Sequence, residues 1–192
     1  MRLQFVGNQV KSLAPLVQLT ALDYLGGAQN QIEDVAPLAG HTNLKALDLS
    51  DNQIRDLAAL DKLTTLELVS LARNQIESLA PLAGMRDLQA LYLSQNQIVD
   101  ITPLAGCQKL SSLDLSNNQI ENISALAGLP KMAMVYLYQN KITDLTPLIT
   151  NAEKGGIGEG TSIWLSDNPL TPEAISKQIP LLRSRYKVQV YY

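Results

Sequence analysis

Asparagine returns to this chain at a fixed interval. Asn8, Asn30, Asn52, Asn74, Asn96, Asn118 and Asn140 stand 22 residues apart, and Asn168 follows after 28, one period plus a six-residue insertion within residues 153–160. The apolar residues keep the same beat. Two positions after each Asn sits an aliphatic residue, from Val10 and Ile32 through to Ile142 and Leu170. Five positions before it sit Leu3, Leu25, Leu47, Val69, Leu91, Leu113, Val135 and Ile163. A period this long belongs to neither a helix nor a strand. It marks a repeated supersecondary unit that buries its apolar face only by stacking on its neighbours.

One unit can be read in chain order. Around Leu113-Asp114-Leu115-Ser116 apolar and polar residues alternate, which predicts a short strand with one buried side. Asn118 comes where the chain must turn, and its short amide can bond backbone groups that burial would leave without partners. Ile120 and Ile123 return to the core. A turn follows with Pro15, Pro37, Pro81, Pro103 and Pro147 at one place, replaced by Ala59 and Ala125 in two copies. Pro followed by Leu predicts a single turn of 3-10 helix there. Asp34, Asp56, Asp100 and Asp144 come just before it, where a carboxylate caps free N–H groups.

The run from Leu110 through Leu113, Leu115, Asn118 and Ile120 to Ile123 resembles a leucine-rich repeat of the 22-residue class. That class occurs in bacterial internalins and in the leucine-rich regulatory subunit of type-1 protein phosphatase. The resemblance covers residues 3 to 170 in eight in-phase copies. It implies an α/β solenoid: a right-handed horseshoe with parallel β-strands on the concave face and short 3-10 turns on the convex face. It also implies a non-catalytic module that binds a protein or peptide. Internalin-like adhesion or host interaction is the first expectation. The alternative is an intracellular adaptor that recruits an enzyme such as a phosphatase or GTPase. The compartment differs between the two, secreted or cell-surface in one and cytoplasmic in the other. Local departures are Gly26 and Gly27, expected to weaken the second strand, and the insertion.

Residues 1–170 are read as the repeats and 171–192 as a C-terminal cap. Thr171-Pro172-Glu173 is a helix start, and Ile175, Ile179 and Leu182 are expected on one helical face, with Pro180 kinking or interrupting it. Tyr186, Val188, Val190 and Tyr192 then alternate with polar residues as a final strand would. The segment from Ile179 to Val190 resembles the closing segment of many bacterial leucine-rich repeat proteins, which points to a bacterial source. Met1-Arg2 leads straight into Leu3 and Phe5 with no capping helix. The chain is therefore expected to be part of a longer protein, or its first coil to dock on something else, self-association included.

Composition excludes several chemistries. One cysteine, Cys107, allows no internal disulfide framework and no Cys-based zinc site, and one histidine, His41, leaves no metal-binding pair. A net charge of −3 argues against nucleic acid as a partner. No apolar run is long enough for a membrane span. No metal or cofactor is expected. Residues 156–162 echo a phosphate-cradling loop, but they precede a strand instead of opening a helix, so an insertion loop is the better reading. Asp48 and Asp114 lie three coils apart, roughly 14 Å, too far for paired-carboxylate catalysis. His41 is read as a solvated turn residue. Cys107 shares its place in the repeat with His41, Leu63, Met85 and Leu129, and is read as a small buried filler.

Function is then expected on the outward side of the strands. Four positions before each Asn the residues are Gln4, Gly26, Asp48, Ser70, Tyr92, Asp114, Tyr136 and Trp164. Two positions before it they run from Val6 and Ala28 to Tyr138 and Ser166. The first half of both columns is small. The second gathers Tyr92, Tyr136, Tyr138 and Trp164 around Asp114, with Asp167 at the edge. Among 34 leucines the chain has nine aromatic residues, so the aromatics are not required by the core. Large amphipathic rings on a rigid surface are common anchors of recognition, which makes this zone the candidate partner-binding surface. The other reading is that exposed tyrosines only stabilise their cross-strand neighbours.

Overall fold

The computed structural model describes residues 1–192. Its backbone forms one nine-stranded parallel sheet in which each strand neighbours the next in chain order. β1 (Arg2–Gln4), β2 (Tyr24–Gly26), β3 (Ala46–Asp48), β4 (Leu68–Ser70), β5 (Ala90–Tyr92), β6 (Ser112–Asp114), β7 (Met134–Tyr136) and β8 (Ser162–Trp164) supply one strand per repeat. β9 (Gln189–Tyr191) extends the sheet from the C-terminal segment. This is the solenoid predicted from the repeat, with the strands on the concave side. Every strand is short because only its middle residue points inward. Leu25, Leu47, Val69, Leu91, Leu113, Val135, Ile163 and Val190 lie in successive register and are buried.

A single apolar cluster of 50 buried residues runs the length of the coil, almost all of it aliphatic. Phe5 packs against it, partly buried in the first coil. Gly26 and Gly27 do not weaken β2, which pairs in register on both sides. They make room instead. A Cβ on Gly27 would lie 2.7 Å from the Phe5 ring, and one on Gly26 would lie 2.8 Å from the Tyr24 hydroxyl.

Each ladder asparagine ties two coils together. The Asn52 amide donates to the carbonyls of Gly27, Leu49 and Ser50 at 3.0–3.1 Å, and its Oδ1 accepts the Ile32 N–H at 2.9 Å. Asn30, Asn74, Asn96, Asn118 and Asn140 repeat this four-partner pattern. Asn168 bonds across the longer last interval to Leu137 and Ile142. Asn8 at the first coil reaches only Phe5 and Val6 of its own turn. The residue before each ladder asparagine is left-handed, with φ between 54° and 59° from Gln29 to Asp167 and 71° at Gly7. That conformation is unfavourable for Gln or Arg, and the bonds to the neighbouring asparagine hold it in place.

On the other side of the coil, 3-10 turns open at Ala14, Ala36, Ala58, Ala80, Thr102 and Ser124. The first N–H of each is accepted by the side chain two residues earlier: Ser12, Asp34, Asp56, Ser78, Asp100 and Asn122, at 2.7–3.3 Å. The seventh turn departs from expectation. After Asp144, the stretch with Pro147 is not 3-10 but an α-helix, α1 (Thr146–Glu153), because the insertion supplies enough residues to continue the first turn. Asn151 in α1 is buried and donates to Leu126 and Leu129 of the preceding coil.

His41 is also corrected. It is fully buried, and its Nε2 donates to the Leu16 carbonyl at 3.1 Å. Its repeat position is an interior one from this coil onward, filled by Leu63, Met85, Cys107, Leu129 and Asn151, all buried, whereas Leu19 of the first coil is exposed. Cys107 lies on the same row, 4.0 Å from the Leu82 carbonyl, and burial pushes its thiol pKa up to about 11.

The C-terminal segment starts with Thr171, whose hydroxyl accepts the Ala174 N–H. Residues Ala174–Gln178 form a π-turn that leads into α2 (Ile179–Ser184). The wider turn accommodates Pro180, which has no N–H for the helix ladder. It also rotates the helix face. Ala174, Ile179 and Leu182 face inward, whereas Ile175 is 42% exposed, contrary to the simple helical spacing. The final strand is shorter than its alternation suggests. Val188 and Val190 are buried, Tyr186 is half-buried beside the core, and Tyr192 is outside the strand and exposed. Gln178 fastens this segment to the last coils. It accepts from the Leu145 N–H at 2.9 Å and donates to Asp144 at 2.7 Å and Thr146 at 3.2 Å.

Candidate functional site

The outward rows follow from the strand register. Tyr92 on β5 lies beside Asp114 on β6, which lies beside Tyr136 on β7, then Trp164 on β8 and Tyr191 on β9. The Tyr136 and Trp164 rings stack with centroids 4.2 Å apart and planes 11° from parallel. Tyr191 stacks on the far face of Trp164 at 5.2 Å and 12°. Three rings thus stand in one row on the concave surface, fixed by the spacing of parallel strands, about 4.8 Å. Tyr191 was absent from the sequence-derived set. Its signal was Val190, whose burial in register with Ile163 turns both flanking residues outward.

The other candidate residues surround this stack without entering it. Tyr138 lies two residues beyond Tyr136 and is 36% exposed, and Met134, two residues before Tyr136, is 45% exposed. Asp167 is exposed at the left-handed position before Asn168. Tyr92 stands two strands from Tyr136, and its hydroxyl accepts from Ser112 Oγ at 3.3 Å. Asp114 occupies the gap between them. Its Oδ1 accepts both the N–H and the hydroxyl of Ser116, at 3.0 and 2.6 Å.

The first half of the face differs. Asp48 is bonded to Ser50 in the same way, and Ser50 meets Ser70 at 2.6 Å. Its one large ring, Tyr24, lies across Gly26 with the Arg2 guanidinium 4.4 Å from its centroid and Gln4 donating to its hydroxyl. These side chains are engaged with each other.

Titration shifts lie away from the aromatic row. Hydrogen bonds from the Thr102 hydroxyl and N–H hold the Asp100 carboxyl below its usual range. For Asp144, burial opposes ionisation, but the bonds from Gln178, Thr146 and Leu145 outweigh it and lower its pKa. The Asp87 carboxylate raises Lys109. No three His, Cys, Asp or Glu side chains converge in the manner of a metal site. The largest surface hollows lie between turns, one lined by Val99, Asp100, Glu121 and Asp144 and another by the 155–161 loop. No helix is long and apolar enough to cross a membrane.

Comparison with known proteins places this geometry. The family model described as leucine-rich repeats in two copies matches residues 64–106 and 108–150, and a second, described as a leucine-rich repeat, matches 40–60. The structure of internalin C2 from Listeria monocytogenes is 36% identical, with a TM-score of 0.78 over 89% of this chain and 71% of that one. Internalin F of the same organism is 29% identical, with a TM-score of 0.81 over 96% of this chain. A leucine-rich repeat protein of Leptospira interrogans is 26% identical, with a TM-score of 0.87 over the whole of this chain. This chain spans 58% of internalin F and 48% of the Leptospira protein. No curated protein sequence matches it.

Proposed function

Since the chain belongs to the leucine-rich repeat family, whose members typically bind proteins, we propose that it is a non-catalytic recognition module that holds a protein or peptide against the C-terminal half of its concave sheet. The observation that carries this reading is the row Tyr136–Trp164–Tyr191, flanked by exposed Tyr138 and Met134. The core is filled by aliphatic residues, with only Phe5 in the first coil and Tyr186 in the C-terminal segment packed against it, so the rings of the row are surplus to the packing of the repeats. A preformed row of rings gives a partner large apolar contact at little ordering cost. Similarity to two internalins supports an internalin-like role in adhesion or host contact.

The test is a peptide selected from a displayed library on the intact chain, with its affinity measured against Trp164→Ala and Tyr136→Ala. Loss of about 10- to 100-fold in affinity, with folding retained, is expected for anchor residues. A selection in which every peptide binds both variants as well as the unaltered chain overturns the reading.

A further inference from the structure

Resting on that reading, one position on the face carries more specific information. The outward residues of β5–β8 and the turns after them include two carboxylates, Asp114 and Asp167, and no Lys or Arg. Asp114 interrupts the aromatic row, with Tyr92 on one side and Tyr136 on the other. One of its oxygens is held by Ser116. The other, Oδ2, accepts no hydrogen bond, and no cation of the chain pairs with it, although Asp51, Asp87 and Glu67 each have one from an adjacent coil. Asp114 is thus a fixed, half-buried, unpaired carboxylate with a tyrosine on the adjacent strand to either side.

The spacing of those two tyrosines selects the occupant. Each is attached one strand interval, about 4.8 Å, to the side of Asp114, so a flat group over the carboxylate lies within the ~6 Å reach of a cation–π contact. This protein already seats guanidinium groups over tyrosine rings at 4.4 Å for Arg2 on Tyr24, 5.0 Å for Arg183 on Tyr192 and 5.3 Å for Arg185 on Tyr186. Trp164 on β8 stacks on one face of Tyr136, which turns the other face toward β6. Tyr92 is steadied by its bond to Ser112, which it covers. We propose that Tyr92, Asp114 and Tyr136 form an arginine slot, in which a partner's guanidinium lies between the two rings and donates to Asp114 Oδ2. A planar cation meets all three requirements; a neutral aromatic would leave the carboxylate unpaired and desolvated.

The experiment is an NMR titration of the intact chain with capped arginine, with capped citrulline as the neutral isostere. Arginine should shift the amides of Tyr92, Asp114 and Tyr136 with half-saturation near ~1–10 mM, a weak affinity suited to one side chain. Citrulline should bind at least about 10-fold more weakly, and Asp114→Asn should remove the preference for arginine. No shift at those residues, equal shifts with citrulline, or an unchanged arginine preference in Asp114→Asn would overturn the slot. Asp114→Asn and the citrulline comparison report on the slot alone and Trp164→Ala on the recognition surface alone, so failure of the one and failure of the other are told apart.

Discussion

The two halves of the concave sheet share one backbone and differ in what stands on it. From β1 to β4 and from β5 to β8 the register is constant, the inward residue of the strand is aliphatic, and an asparagine bonds each coil to the last. The outward residues are not constant. Gly26, Asp48 and Ser70 occupy the row in the first half; Tyr92, Tyr136 and Trp164 occupy it in the second. The invariant part is what stacking demands, and the variable part is free to serve binding. That division is what the following substitutions would break or sharpen.

The largest effects belong to the interior and should not distinguish the halves. Leu49→Ala and Leu115→Ala both truncate a fully buried side chain, and each should cost about 2–5 kcal/mol in chemical denaturation. The ladder should separate the end from the middle. Asn96→Ala leaves the buried Ile76 N–H without a partner and takes one of two donors from each of the Leu71, Leu93 and Ser94 carbonyls, a loss of about 1–3 kcal/mol. Asn8→Ala, with bonds only inside its own exposed turn, should cost under ~1 kcal/mol.

The C-terminal segment should respond next. Gln178→Ala removes its links to Leu145, Asp144 and Thr146 and should destabilise by about 1–2 kcal/mol, with the amides of α2 and β9 exchanging first. Because the folded-state pKa of Asp144 is lowered, its contribution is present above the ordinary carboxylate pKa and is lost as pH falls through the folded value. Acid should therefore loosen this end, and Asp144→Asn should flatten that part of the pH profile. On the face the effect on stability is small and the effect on binding large. Trp164→Ala forfeits two stacking contacts, about 1 kcal/mol, while removing partner binding.

Much of this was legible because the repeat converts sequence position into spatial position. The 22-residue interval gave the strand rows, and the asparagines announced where buried backbone needed partners. His41 is polar in type but interior in place, because its repeat position, like that of Leu63 and Met85, faces the core. The extension into α1 was hidden because Pro147 opens an α-helix and a 3-10 turn equally well, and only the added length separates them. Ile175 turned outward because the π-turn before Pro180 shifts the helical phase by a residue, which a fixed 3.6-residue count does not register. Tyr191 escaped because the last strand lies beyond the final asparagine of the 22-residue series, so the asparagine rule could not number it.

The most direct measurement is the NMR footprint of a bound, display-selected peptide on the uniformly labelled chain. The account predicts that the perturbed residues fall on the outward positions of β5–β9, centred on Tyr136, Trp164 and Tyr191. A footprint confined to β1–β4 or to the 3-10 turns, with those three residues unmoved, would contradict it.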